Sequence, residues 1–172
     1  GFRSISVDLI YGLPFQTFES FSNTLKQIVE LKPDRISIYN YAHLPDRFPP
    51  QKRILTTDLP EPPEKLKILK LCIEFLSAQG YIYIGMDHFA LPDDELAIAQ
   101  RDGTLQRNFQ GYSTFGDCDL LALGVTGISH IGNTYCQNTR EMDEYRDSLL
   151  ADQIPVVKGA VIDDDDLVLK QV

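Results

Sequence analysis

The stretch that organises the chain reads Ser6-Val7-Asp8-Leu9-Ile10-Tyr11-Gly12-Leu13-Pro14-Phe15-Gln16-Thr17. An apolar run with one acid breaks at Gly-Leu-Pro and leads to a threonine, after which a helical pattern begins. This order predicts a buried parallel strand, a loop and the start of a helix. The acid, Asp8, needs a reason, because a carboxylate inside an apolar strand is costly unless it is paired or hydrogen-bonded. Loops after parallel strands bind ligands, so Asp8 is a candidate binding residue; the alternative is a local turn in which it accepts from backbone N–H groups.

Composition limits the class of protein. The chain has 172 residues, 43% of them hydrophobic and 24% charged, as expected for about one globular domain. Its net charge of -9 argues against broad electrostatic binding to nucleic acid or anionic lipid. No apolar run approaches the ~20 residues of a membrane span, and the first residues lack the layout of a signal peptide. We therefore expect a cytoplasmic protein without membrane or nucleic-acid partners.

Two crossovers follow from the helical and strand patterns of the first half. A helix capped by Thr17 (residues 17–33) leads to a β-rich strand (35–40). A second helix (63–80) ends at a glycine and is followed by another strand (81–85). The order β-α-β-α-β fits part of a (β/α) barrel or a doubly wound sheet equally well. The proline-rich segment from Pro45 to Pro63 is either a lid or a surface excursion.

The second half is predicted to contain shorter elements. They are a helix at 96–100, a buried strand at 119–125, a short strand at 133–138, a helix capped by Thr139 and an extended segment at 155–162. The segment from Arg107 to Thr114 mixes a cation, amides and aromatic rings without core periodicity. It suits a flat or nucleoside-like ligand; the alternative is a loop of stacked aromatics.

Polar residues follow successive predicted strands. They are Asp8, Ala42-His43, Asp87-His88 and Phe109-Gln110, and they are expected to converge at one mouth of the sheet. The three cysteines are far apart in sequence and the three histidines lie on different loops, so we assign no metal ligand. No GxSxG, P-loop or GxGxxG pattern occurs. The residues alone thus indicate a ligand-binding part of an α/β enzyme.

Four motifs, in this order, resemble the oxygen-independent coproporphyrinogen III oxidases of the radical S-adenosylmethionine (SAM) superfamily. They are Asp8-Leu9-Ile10-Tyr11-Gly12-Leu13-Pro14-x-Gln16-Thr17, Asn40-Tyr41-Ala42-His43-Leu44-Pro45, Gly85-Met86-Asp87-His88-Phe89-Ala90 and Arg107-Asn108-Phe109-Gln110-Gly111-Tyr112. The resemblance covers nearly the whole chain. It implies an α/β fold made of the later units of a partial (β/α)6 TIM-like barrel, in residues 1–130. Residues 131–172 would start the segment that follows the barrel.

The resemblance also implies a reaction. Coproporphyrinogen III would lose two propionate carboxyl groups by oxidative decarboxylation and become protoporphyrinogen IX, a step of anaerobic haem biosynthesis. The family uses a [4Fe-4S] cluster, two SAM molecules and a reductant, and a 5′-deoxyadenosyl radical abstracts a propionate hydrogen. By motif match, Asp8 and Ala42 would bind the second SAM, Ile128 would bind the cluster-bound SAM, and Phe109 and Gln110 would lie near both.

One departure from the family pattern affects activity. The CxxxCxxC motif that holds the cluster does not occur in these 172 residues. We therefore expect this chain to be an excised C-terminal portion that by itself holds no cluster and has no activity. Two other functions remain open at this point. One is a haem-trafficking relative that binds haem without decarboxylation, against which the Phe-Gln-Gly-Tyr run argues; the other is a non-catalytic scaffold.

Overall fold

The structure is a computed structural model that describes residues 2, 4–108, 111–116, 118–163 and 166. The chain divides into two compact units, residues 1–116 and 117–172. The boundary predicted at residue 130 falls inside a strand of the second unit. The division into a barrel part before that residue and a following segment after it stays a prediction.

The first unit begins with the predicted β-α-β crossover. Strand β1 (Ser6–Tyr11) and strand β2 (Arg35–Asn40) pair in parallel, and helix α1 (Phe18–Glu30) connects them. Thr17 caps α1 as predicted: its side chain accepts from the Ser20 N–H, and the Ser20 hydroxyl accepts from the Thr17 N–H. This reciprocal box satisfies two N–H groups that a helix start otherwise leaves unpaired.

The second crossover differs from the prediction. Helix α2 (Pro62–Ala78) and strand β3 (Ile82–Gly85) form as expected, but His88–Ala90 is a further strand, β4, where a loop was predicted. The strand order is β1-β2-β4-β3, with β4 antiparallel to both neighbours. The reason is local, since Gly85 and Met86 both have positive φ and reverse the chain into a hairpin.

The core of the first unit lies on one face of this sheet. Ile36, Ile38 and Phe89 on the strands are at most 2% exposed, and α1 and α2 cover them with Phe21, Leu25, Ile68, Cys72 and Leu76. Strand β1 was expected to be buried, and this was wrong for one of its faces. Its residues alternate, and Asp8 is exposed on the face opposite the two helices. The carboxylate is therefore hydrated rather than buried among apolar groups.

The remaining elements of the first unit lie beside the sheet face that carries Asp8. Helix α3 (Glu95–Arg101), capped by Asp94, packs at one side, where Leu96 and Ala97 join Ile84 and Ala90 in a small cluster. Strands β5 (Gln106–Asn108) and β6 (Gly111–Ser113) pair as an antiparallel hairpin within the segment for which no strand was predicted. The proline-rich segment contains two short 3-10 helices, Pro49–Arg53 and Thr56–Asp58.

The second unit is an antiparallel sheet of β7 (Ile128–Ile131), β8 (Thr134–Asn138) and β9 (Val156–Val161), with helix α4 (Met142–Leu150) between β8 and β9. The buried strand predicted at 119–125 does not form. Leu120 makes an isolated bridge to His130, whereas Leu121 and Leu123 are 71% and 85% exposed. An apolar run of this length is consistent with a strand but does not require one.

The fold is mixed α/β, as predicted at that level. The parallel β1–β2 pair with its crossover helix is the unit from which barrels are built. Among the helices that the structure describes, none is long and apolar enough to span a bilayer.

Candidate functional site

A row of polar side chains crosses the sheet of the first unit on the face opposite α1 and α2. Asp8 on β1 pairs in register with Ser37 on β2, and Ser37 pairs with His88 on β4. Register partners point to the same face, and neighbouring strands lie about 4.8 Å apart, so the three side chains stand side by side. We call the face that carries Asp8, Ile10, Ser37, Tyr39 and His88 the polar face.

His88 is at the centre of an aromatic group on the polar face. The ring centroids of Tyr39 and Tyr112 lie 6.1 and 5.3 Å from that of His88, both in edge-to-face arrangement. Burial lowers the pKa of His88 below its ordinary value; Asp87 and Asp8 oppose this shift, and Arg107 and Arg35 reinforce it. Desolvation dominates, so the imidazole is held in its neutral form near pH 7.

The β5–β6 hairpin lies against the polar face through Tyr112. A Cβ at Gly85 would lie 2.4 Å from the Tyr112 hydroxyl oxygen, so only glycine leaves room for that phenol. The guanidinium of Arg107, the register partner of Tyr112, lies 5.9 Å from its ring centroid. The hairpin thereby brings a cation and a phenol to the side of His88.

The loop after β1 is held by one side chain, Gln16. Its carbonyl oxygen accepts from the N–H groups of Gly12 (2.6 Å) and Leu13 (3.3 Å), and its amide donates to the Ile10 carbonyl (3.2 Å). The Gly-Leu-Pro-x-Gln pattern thus encodes a fixed loop shape at the carboxyl end of the strand that carries Asp8.

Ala42 follows β2 and is exposed. The amide of Gln51 donates to the Ala42 carbonyl at 3.2 Å, and the Gln51 carbonyl accepts from the Leu44 N–H. The proline-rich segment therefore folds back and fixes the backbone at Ala42, beyond the carboxyl end of β2. Of the two alternatives for the proline-rich segment, a lid or a surface excursion, this contact favours the surface excursion, because the first 3-10 helix is anchored to the backbone after β2.

The remaining predicted site residues lie elsewhere. Phe109 and Gln110 fall outside the described residues. Ile128 begins β7 in the second unit, is half-buried and pairs with Gln137. Within the first unit, the structure brings Asp8 and His88 together on one face and puts Ala42 beyond the carboxyl end of the neighbouring strand.

Two residues of the polar face, Ser37 and Tyr39, escaped the sequence analysis. The signal was present, because Ser37 and Tyr39 alternate with the core residues Ile36 and Ile38 along β2. Strict alternation marks a strand with two different faces. The prediction described this strand only as β-rich and did not separate its apolar face from its polar face.

The cysteines do not suit an iron–sulfur cluster. Cys72 lies in the core of the first unit, where burial raises its pKa to about 12. Cys118 and Cys136 belong to the second unit. Among the described residues, no group of at least three His, Cys, Asp or Glu side chains could hold a metal ion. A cluster requires clustered thiolates, so these cysteines do not fit one.

The motif resemblance implies SAM as a ligand, and the polar face carries groups of suitable chemistry. A carboxylate at Asp8 can accept from ribose hydroxyls or an ammonium group, and the rings of Tyr39 and Tyr112 offer apolar surface to a flat group. The face offers an acceptor, a neutral imidazole and the Tyr39 ring, and the hairpin beside it adds the guanidinium of Arg107 and the Tyr112 ring. This combination is the chemistry of a ligand-binding surface.

Comparison with known structures defines the class. The chain superposes with a TM-score of 0.95 on coproporphyrinogen III oxidase from Escherichia coli, which is described as a radical SAM enzyme. The two are 53% identical, and the match covers 99% of this chain and 39% of the solved one. The chain thus has the fold of a part of a radical SAM enzyme. No family model matches it.

Curated sequences identify the particular family. The chain is 56% identical over 171 residues to the oxygen-independent coproporphyrinogen III oxidase of Pseudomonas aeruginosa and 53% identical over 172 residues to that of Escherichia coli strain K12. It spans 37% and 38% of the length of these two relatives. The chain is therefore homologous, over its whole length, to a portion of the oxygen-independent coproporphyrinogen III oxidases, and the resemblance of its motifs is confirmed.

Proposed function

We propose that the chain is the C-terminal portion of an oxygen-independent coproporphyrinogen III oxidase and contributes the later β/α units of its partial (β/α)6 barrel. The observation that carries the proposal is identity of 53–56% to such oxidases across the chain, together with a TM-score of 0.95. The complete protein would oxidatively decarboxylate coproporphyrinogen III to protoporphyrinogen IX in the cytoplasm. Each reacting propionate would give up one hydrogen atom to the radical derived from SAM, CO2, and one electron to an external acceptor, while the electron from the reductant would be used to cleave SAM.

The cofactor roles belong to the same proposal. Asp8 and Ala42 bind a second SAM, Ile128 contacts the cluster-bound SAM, and Phe109 and Gln110 lie near them. When bound, reductively cleaved SAM supplies the hydrogen abstraction that starts the reaction. The exposed carboxylate of Asp8 is accessible to a ligand, which supports its role. The fixed backbone at Ala42 supports the second role, because a preorganised peptide group binds a polar ligand with little ordering cost.

The contribution of the polar face is binding and orientation. Its carboxylate, imidazole and guanidinium fix the polar ends of a ligand, while Tyr39 and Tyr112 exclude water from the flat part. Holding the ligand in one pose converts an encounter between separate molecules into a reaction within one complex, and this positioning accelerates chemistry strongly.

The test is an anaerobic assay of the full-length gene product with coproporphyrinogen III, SAM and a reductant, following protoporphyrinogen and CO2. Turnover supports the proposal. Haem binding without decarboxylation would move the protein to the haem-trafficking relatives and overturn it. The isolated chain, which lacks CxxxCxxC, should retain almost no iron after anaerobic reconstitution.

The site assignment is tested with Asp8→Ala in the full-length protein. SAM affinity of the variant should fall by about tenfold, the value of one hydrogen bond to a charged group, while its unfolding midpoint stays that of the wild type. Exposed Asp93→Ala is the matched control and should bind SAM normally. Unchanged SAM binding and turnover in Asp8→Ala would remove Asp8 from the site.

A further inference from the structure

One polar atom of the first unit stands out by its lack of a partner. Among the described residues, Nδ1 of His88 is the buried side-chain nitrogen or oxygen with no hydrogen-bond partner. Leaving a buried polar atom unsatisfied destabilises a fold, because the atom has lost water without gaining a partner. Such a cost at the centre of the polar face indicates that the imidazole serves something other than the stability of the sheet.

The orphaned nitrogen determines which tautomer the ring adopts. A buried N–H without an acceptor is rarer in proteins than an acceptor that lacks a donor, so Nδ1 is the unprotonated nitrogen. The proton of the neutral ring then resides on Nε2. Burial of His88 lowers its pKa and agrees with a neutral ring, although Asp87 and Asp8 oppose the shift. His88 therefore presents a fixed N–H donor at Nε2.

Residue 111, on the hairpin side of this donor, is a glycine. Gly111 has φ +137°, a backbone conformation that favours glycine, and the position that a Cβ would occupy there lies 3.7 Å from His88 Nε2, at ordinary contact distance. As a glycine, residue 111 places no side-chain atom against Nε2.

The charges around His88 determine what kind of oxygen fits. Asp8 and Asp87 face the ring from the strand side, while Arg107 lies on the hairpin side over Tyr112. Arg35 also acts on the ring, but its guanidinium is committed to Asp94 and Glu95. Arg107 is exposed, so an anionic ligand group meets its positive charge from the hairpin side.

We propose that the Nε2–H of His88 donates a hydrogen bond to a carboxylate of the bound ligand, with Arg107 supplying the neighbouring positive charge. This inference rests on the proposed function, in which the substrate carries propionate carboxylates. It assigns to His88 and Arg107 the binding of one such group, so these residues determine preference for the acid over an uncharged derivative.

The test is titration of the full-length protein with coproporphyrin III, the stable oxidised form of the proposed substrate, and with its methyl ester. The variant His88→Phe keeps a ring between Tyr39 and Tyr112 but has no donor, and it should bind the acid about tenfold more weakly. His88→Gln has an amide donor close to the position of Nε2 and should restore binding to within about threefold of wild type.

Arg107 is tested with a variant and a matched control. Arg107→Gln should weaken acid binding by about threefold, the value of an exposed charge pair. Arg101→Gln, at the exposed end of α3, should leave it unchanged. Arg107→Gln should bind the methyl ester like wild type, because the ester has lost the carboxylate charge. The ester keeps a carbonyl oxygen that accepts hydrogen bonds, so His88→Phe should lose less affinity for the ester than for the acid.

Three results would overturn the inference. They are equal binding of the acid by His88→Phe and wild type, an equal loss for acid and ester, and failure of His88→Gln to restore binding while it unfolds at the wild-type midpoint. The proposed function fails separately, through absence of turnover by the wild-type protein. Turnover by wild type together with an unaffected His88→Phe variant rejects this inference alone.

Discussion

Asp94 connects the N-terminus of α3 to the first residue of β2, and its removal gives a sharp test of how the first unit is stabilised. Its side chain is only 3% exposed and accepts from Arg35 Nε at 2.8 Å, from the Leu96 N–H at 2.9 Å and from the Ser4 hydroxyl at 3.3 Å. Arg35 also pairs with Glu95 at 2.7 Å. One carboxylate thus caps a helix and neutralises a half-buried guanidinium.

The cost of Asp94→Ala is the sum of two parts. Loss of a helix cap costs about 1 kcal/mol, and loss of a hydrogen bond to a charged partner costs about 1.5–3 kcal/mol. Because Arg35 is 24% exposed and keeps Glu95, water and the second carboxylate reduce the second part toward its lower limit. We expect a loss of about 2.5 kcal/mol in the free energy of unfolding.

Asp94→Ser separates these parts. Serine is a good N-cap but carries no charge, so this variant should regain about 1 kcal/mol relative to Asp94→Ala. Asp93→Ala, one residue earlier and exposed, should change stability by less than about 0.5 kcal/mol. The assay is urea unfolding followed by circular dichroism. A loss below about 1 kcal/mol in Asp94→Ala, or an equal loss in Asp93→Ala, would refute this reasoning.

Three other predictions concern single contacts of the first unit and the reactivity of its thiol. Gly85→Ala should destabilise by about 2 kcal/mol, since its Cβ would lie 2.4 Å from the Tyr112 hydroxyl, and Tyr112→Phe in the same chain should recover part of this loss in thermal unfolding. Gln16→Ala should accelerate amide hydrogen exchange at Gly12 and Leu13, whose N–H groups bond to Gln16, while the α1 amides exchange as before. Cys72, whose pKa is raised to about 12, should stay unreactive toward a thiol reagent at pH 8 until the chain is unfolded, whereas exposed Cys118 reacts at once.

The sequence predicted the elements whose signals are local. Thr17 caps α1, prolines begin α2, and Asp94 and Glu95 begin α3, because capping depends on side chains within one turn of the helix end. The strand at 35–40 was found for a similar reason, since its β-branched residues stand between clear breaks.

The site was only half visible in the sequence. Asp8 and the Asp87-His88 pair were recognised as polar residues at the ends of strands, and the motif resemblance connected Asp8 to Ala42. Ser37 and Tyr39 were not recognised, although they share a face with Asp8 and His88. A period of two shows that a strand has two faces, but not which face a ligand will meet.

The order in which the strands pair could not be predicted from the sequence. The chain alone determined where α1, α2 and α3 begin, that β1 and β2 are joined by a helical crossover, and to which family it is homologous. The cap predicted at Thr139 was wrong, because α4 begins at Met142 after Glu141, whose side chain makes no capping hydrogen bond. Only the tertiary structure decided that β4 inserts between β2 and β3, that residues 119–125 form no strand, and that Asp8 is exposed. The physical reason is that caps and turns arise from contacts a few residues apart, whereas burial and sheet order depend on which distant segments reach the same surface.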